Sequence, residues 1–229
     1  MLVKWPKAAT LLLALAMPAG ALAQNAPLQL QPKRPPAPAA PAAKPAAPAS
    51  ADQATAIAKA NDWLNGASLM TADFVQIGGD GSRTEGKLYV QKPGRMHFSY
   101  AAPAALEIRA DGTSVAVIDR KLKTQDLSFI GQTPLKFLLK DHIDLARDTK
   151  VLDVGSEGKS TSIFIEDKAT FGGTSRIKLT FDSTTFSLKQ WKVVDPQGYE
   201  TLVTLFNINT AATPDAALFK IDQDRYPRR

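Results

Sequence analysis

The sequence predicts a mainly β domain with a few short helices, built on an antiparallel sheet or barrel. Two observations carry this reading. From Phe74 onward, apolar side chains recur at every second position, the period of a strand with one buried face. Turn sequences such as Pro93-Gly94, Asp111-Gly112 and Asp195-Pro196-Gln197-Gly198 punctuate the chain, with the spacing of about ten residues that consecutive hairpins produce.

Two leading zones cannot belong to such a sheet. Met1 to Lys7 is basic, and Ala8 to Met17 is apolar without a charge. Pro18 and Gly20 break any helix there, and Ala21-Leu22-Ala23 offers the small residues a signal peptidase accepts. Residues 1–23 therefore read as a secretory signal, cleaved before Gln24, and the mature protein is expected to be exported. Residues 24–51 read as a disordered Pro/Ala-rich linker, because eight of the sixteen prolines lie between Pro27 and Pro48 and proline removes amide donors. Fully extended, this tract would reach roughly 80 Å at about 3.1 Å per residue. A single folded domain is left, 52–229, of ordinary size for one core.

The domain opens with a helix, which Asp52 can cap and whose apolar residues Ala56, Ile57, Ala60, Trp63 and Leu64 follow helical spacing toward Gly66. Strands follow through Phe74-x-Gln76, Leu88-x-Val90-x-Lys92, Met96-x-Phe98-x-Tyr100, Leu106-x-Ile108, Val115-x-Val117 and Leu127-x-Phe129. Pro134 then opens a short helical piece, Leu135 to Leu139, with a further turn near Ile143 and Leu145. Strands resume at Ile163-x-Ile165, Ile177-x-Leu179-x-Phe181, Trp191-x-Val193 and Tyr199 to Ile208. One face of this sheet is apolar, while the other carries Glu85, Lys87, Arg109, Lys178, Lys189 and Lys192. Such a face must be covered. Patterning alone allows either a filled core or a cavity, and of the two it favours the filled core.

Charge and composition exclude several classes. The net charge of +6 drops to +1 over residues 52–229 once Lys4, Lys7, Lys33, Arg34 and Lys44 are set aside, so the folded body has no basic excess for nucleic acid. The absence of cysteine removes disulfides, thiolate metal sites and a lipidated N-terminal cysteine. Only His97 and His142 could act as imidazoles. No HExxH or GxSxG motif is present, and the glycines at 78, 79 and 81 join strand to strand, leaving no helix N-terminus for phosphate. The reading is of a non-enzyme with no metal and no cofactor.

The segment Gly86-Lys87-Leu88-Tyr89-Val90-Gln91-Lys92-Pro93-Gly94-Arg95-Met96-His97-Phe98-Ser99-Tyr100 resembles the periplasmic outer-membrane lipoprotein carrier family, LolA. Ala110-Asp111-Gly112, Val117-Ile118-Asp119, Thr133-Pro134-Leu135-x-Phe137-Leu138-Leu139 and the early Asp73-Phe74-Val75-Gln76 follow in the family's order. The resemblance spans about 52–225. It implies an open, incomplete antiparallel β-barrel (a half-barrel) with a helical lid over an apolar cavity. It further implies a monomeric soluble carrier for acylated lipoproteins, working between an inner-membrane lipoprotein-releasing ABC transporter and an outer-membrane receptor or acceptor. A receptor of the same fold would carry a lipidated cysteine and a protruding apolar loop, whereas here the link Ala101-Ala102-Pro103-Ala104 is short. A periplasmic lipid- or signal-sensing regulator of the same fold is the alternative reading.

Parity with the matching motif assigns Leu88, Val90, Met96, Phe98, Tyr100, Leu106, Ile108, Val115 and Val117 to the cavity side of the sheet. Leu135, Phe137, Leu138 and Leu139 are assigned to the lid. The resemblance also singles out Lys92. The family usually places arginine there, holding the lid closed through helix backbone carbonyls. Lysine lacks arginine's planar fork, so a weaker latch is expected.

Overall fold

In a computed structural model, residues 50–170, 172–224 and 226 are described; the expected signal segment and the linker up to residue 49 lie outside them. The first helix, α1 (Ala51–Gly66), starts two residues earlier than a cap at Asp52 would place it. Ser50 Oγ accepts a bond from Gln53 N at 3.3 Å, and Gln53 Oε1 accepts one from Ser50 N at 3.0 Å. This reciprocal capping box makes Ser50 the N-cap in place of Asp52. Asp52 lies in the first turn, where the helix dipole favours a negative charge. Ile57, Ala60 and Leu64 form the buried stripe of the helix.

Six strands follow: β1 (Leu69–Gly78), β2 (Arg83–Gln91), β3 (Arg95–Tyr100), β4 (Leu106–Asp111), β5 (Ser114–Asp119) and β6 (Thr124–Phe129). A strap then crosses through a 3₁₀ turn at Ile130–Gln132, α2 (Lys136–Leu139) and α3 (Leu145–Asp148). Five more strands complete the sheet: β7 (Lys150–Glu157), β8 (Ser160–Thr170), β9 (Gly173–Asp182), β10 (Leu188–Val194) and β11 (Glu200–Asn209). All pairings are antiparallel, in the order β6-β5-β4-β3-β2-β1-β11-β10-β9-β8-β7. The sheet is open, with β6 and β7 as its two edges and the strap running between them.

β7 has no counterpart in the sequence reading. It is an edge strand with one neighbour, and its apolar residues do not alternate; Leu152 is 44% exposed. Leu127 and Phe129 also depart from the expected inward pattern. Their partners are Ala116 and Ser114, which places them on the outer face, largely exposed.

The sheet is strongly curled. β3 and β10 are four strands apart in the ladder, about 19 Å on a flat sheet at the usual strand spacing. Yet the rings of Phe98 on β3 and Trp191 on β10 lie only 6.4 Å apart, edge to face. Phe74 on the central strand β1 meets Phe98 and Tyr100 at 5.0 and 5.1 Å, and Phe137 of the strap reaches Trp191 at 6.0 Å. The apolar face therefore closes on itself around aromatic contacts.

The outer face is polar as expected over much of its area, with ion pairs Lys87–Asp73 at 2.9 Å and Lys192–Glu200 at 2.7 Å. It also holds a small second core. A C-terminal 3₁₀ turn, Ala216–Phe219, lies against β3 and β4 and buries Phe219. His97, Glu107, Ala116, Ile118 and Gln125 on this face are buried too. Arg109 Nη1 and Gln125 Nε2 hold the tail by donating to Lys220 O and Asp222 O at 3.0 and 3.1 Å. Burial and the neighbouring Arg109 hold the His97 imidazole below its usual range. Burial alone would raise the Glu107 carboxyl, but the bonded Arg109 and nearby cations hold it low.

Gly86 on β2 lies directly against the β3 backbone. A Cβ there would stand 2.0 Å from Ser99 O, a backbone atom that cannot step aside. Gly86→Ala is expected to destabilise the fold by at least about 2 kcal/mol in urea denaturation. Gly131→Ala, where a Cβ meets nothing within 4 Å, should change stability by less than about 0.5 kcal/mol.

Candidate functional site

The curl and the strap together enclose a cavity of about 400 Å³, within the range of small-molecule sites. Its apolar wall comes from Phe98 and Tyr100 on β3, Leu106 and Ile108 at β4, Trp191 and Val193 on β10, Val203 on β11, and Pro134 and Leu135 of the strap. The mouth is polar, with Gln76, Gln132, Gln197 and Thr201 around it, while Thr170 and Ser175 are buried in the lining and bonded to each other at 2.9 Å. Tyr100 OH donates to Gln76 Oε1 at 2.7 Å, and burial pushes the Tyr100 phenol up, so it stays neutral.

The opposite end of the curled sheet is plugged. There α1, α2 and α3 press Leu64, Leu139, Ile143 and Leu145 into the core with Met70, Leu88, Val90, Met96, Leu179 and Phe181. The inner face is thus neither wholly packed nor wholly hollow.

Of the residues the sequence assigned to a cavity, the structure brings Phe98, Tyr100, Leu106, Ile108 and Leu135 onto its wall. Leu88, Val90, Met96, Val115, Phe137, Leu138 and Leu139 are buried in the filled core instead. They share the inner face, but they lie toward the end that the helices cover. Val117 faces the same way as its partner Ile108 yet is 39% exposed and outside the cavity, because it lies next to the edge strand, beyond the reach of the strap. Trp191, Val193 and Val203 were missed. Their alternation matches that of β3 and β4, so the signal was in the sequence, but the quoted motif covered only the first half of the sheet.

Lys92 occupies a distinctive place. It follows β2, at the start of the turn into β3, is only 9% exposed, and its Nζ donates to Leu64 O in the last turn of α1 at 2.6 Å. The final carbonyls of a helix have no partner within it, so this ammonium meets one of the acceptors that α1 leaves over. Burial pulls the Lys92 pKa down from 10.5 to about 8, with Asp141 opposing the shift.

Other polar contacts hold the strap. Asn65 bonds Ile143 twice, donating from Nδ2 to Ile143 O and accepting from Ile143 N, both at 2.9 Å. Asn61 Oδ1 accepts from Leu145 N at 3.0 Å. Gly94 N donates to Leu139 O at 2.8 Å, and Lys136 Nζ reaches Asp167 Oδ1 at 2.6 Å. The α1 helix and the strap are therefore joined by a few directed bonds between otherwise apolar surfaces.

A second concavity, about 450 Å³, lies outside α1 between Lys59, Asp62, Trp63 and the Thr184–Phe186 turn. Its charged and hydroxyl lining does not suit an apolar ligand. Among the described residues no group of histidine and carboxylate side chains could hold a metal, and no helix is long and apolar enough to cross a membrane.

Comparison with known proteins supplies the context. Residues 65–222 match the family described as outer membrane lipoprotein carrier protein LolA. An outer-membrane lipoprotein carrier protein of Chromobacterium violaceum is 29% identical over 159 residues, covering 66% of this chain and 75% of that one. One from Legionella pneumophila strain Corby is 31% identical over 166 residues, covering 69% and 80%. Among solved structures, a LolA superfamily protein from Nitrosomonas europaea aligns with a TM-score of 0.43 at 9% identity, covering 73% of this chain and 97% of that one.

The burial of Lys92 has a signed pH signature. The unfolded chain keeps the proton up to 10.5, whereas the folded chain releases it near 8. Below pH 8 both states are protonated and the fold bears the full penalty, about 3 kcal/mol. Between pH 8 and 10.5 the unfolded state binds the extra proton, so stability rises with pH. Denaturation at stepped pH is expected to show the unsubstituted protein gaining up to about 3 kcal/mol on Lys92→Met across that window. A Nζ resonance titrating near 8 would mark the same group.

Proposed function

The chain belongs to the outer membrane lipoprotein carrier family, and on that premise we propose that it is a periplasmic carrier that shelters the acyl chains of lipoproteins and delivers them to the outer membrane. The observation that carries the reading is the apolar cavity of about 400 Å³ held between the curled sheet and the strap. An apolar-walled pocket of this size with a few polar groups at its mouth is the usual form of a small-molecule site.

The physical need is large. Three acyl chains of about sixteen carbons, at about 0.8 kcal/mol for each methylene hidden from water, amount to tens of kcal/mol. Noncovalent complexes saturate near about −20 kcal/mol, and a carrier must also release its cargo. A cavity that opens against bonds of its own meets both demands. Each hydrogen bond between α1, the strap and the sheet contributes about 1 kcal/mol, so parting them offsets some of the gain from burying cargo. Lys92 on Leu64 O serves as the latch in this reading, and the Asn61, Asn65 and Lys136 contacts share the load.

The route of the cargo follows from the same reading. Residues 1–23 direct export and are cut off before Gln24, and the Pro/Ala-rich residues up to 49 form a spacer ahead of the carrier domain. An inner-membrane ABC transporter supplies the lipoprotein, and an outer-membrane receptor or acceptor receives it from the monomeric carrier. No catalytic step is involved.

Depletion of the protein from a cell envelope is expected to leave lipoproteins at the inner membrane, detected by fractionation; normal sorting would favour the signal-sensing alternative. In a reconstituted release assay, Lys92→Leu is expected to fold but to change lipoprotein acceptance or release, and unchanged transfer would remove the latch. Val193→Trp, which fills the cavity, should weaken binding of a pyrene-labelled acyl ester at least tenfold while leaving the β-sheet circular dichroism intact.

A further inference from the structure

Resting on the carrier reading, we propose that the cavity discriminates by the head of the acyl chain. It takes chains joined through a neutral ester or amide and turns away the free fatty acid anion. The argument starts from the charge of the lining. Of all the described side chains that line the cavity, Asp195 alone is charged, and it is an anion. Its Oδ1 accepts from Gln197 N and Tyr199 N, both at 2.9 Å, so the β10–β11 turn fixes the carboxylate at the mouth.

Cations exist nearby but are committed elsewhere. Lys192 and Arg176 are at outward positions on β10 and β9 and are paired with Glu200 at 2.7 Å and Glu166 at 3.3 Å. Lys136 on the strap is paired with Asp167 at 2.6 Å. A carboxylate whose tail enters this cavity is brought beside Asp195, whose like charge disfavours it, and no cation among the described lining side chains offsets that repulsion.

A neutral head meets the opposite situation. With its oxygen accepting from Tyr100 OH at 2.7 Å, the Gln76 amide is left with its N–H groups for a carbonyl. Gln132 and Gln197 add further amides at the mouth. Ester and amide carbonyls accept such bonds without carrying charge. The cavity wall serves any acyl chain equally, and selection lies at the rim. A carrier built this way ignores fatty acids shed by lipid turnover, which would otherwise compete for the same wall.

The test uses protein purified from the cell envelope and a neutral pyrene-labelled acyl ester, displaced at pH 8 by laurate or by its glyceryl monoester. The monoester is expected to displace the label at least tenfold more effectively than laurate. Gln197→Lys places a cation at the exposed rim. It should strengthen laurate at least fivefold relative to the monoester. Equal displacement by acid and ester in the unsubstituted protein would overturn the selection while leaving the carrier reading standing. Laurate unmoved by Gln197→Lys would overturn its electrostatic origin. Failure of the pyrene ester itself to bind would overturn the carrier reading, and the selection with it.

Discussion

The structure depends on one demand: a single sheet with one greasy face must hide that face mostly against itself. Eleven strands in one ladder are too many to be covered by one four-turn helix and two single turns. The sheet answers by curling until Phe98 and Trp191, on strands four places apart, come into ring contact. Everything else follows from how completely the curl is filled. At one end the helices supply enough aliphatic volume, through Leu64, Leu139, Ile143 and Leu145, to pack it solid. At the other end the strap contributes Pro134 and Leu135 ahead of α2, and space remains.

Much of this was legible from sequence. Alternation located most of the strands and put the right residues on the inner face, because a strand's period of two leaves little choice once one face is buried. What alternation cannot express is distance along the strand. Val90 and Phe98 read identically as inward apolar residues, but one meets helices and the other meets a void. That difference is set by where α1 and the strap come to lie, which is a tertiary fact. Part of the outer face is covered for a tertiary reason too: His97 and Gln125 are buried where the C-terminal turn with Phe219 packs on that side. The strand β7 escaped notice because an edge strand has no second neighbour to enforce a pattern. The start of α1 was shifted by a capping box that Ser50 and Gln53 make together, a pair that the nearer Asp52 obscured.

Lys92 joins these strands of argument. Its charge is expensive where it lies, and burial is what draws its pKa down. The fold retains it against that penalty because the last turn of α1 presents a carbonyl with no other donor. A purely apolar side chain would pack without the charge, but it would leave Leu64 O unmet. The position thus exchanges stability for a directed, breakable bond between helix and sheet.

The two unjoined edges have a mechanical consequence. In a sealed barrel the circumference is set by the number of strands, and widening it means rupturing a seam. Here β6 and β7 are linked only through the strap of residues 130–149, so the trough can splay or tighten while every rung of its ladder survives. Girth is therefore not dictated by the number of strands.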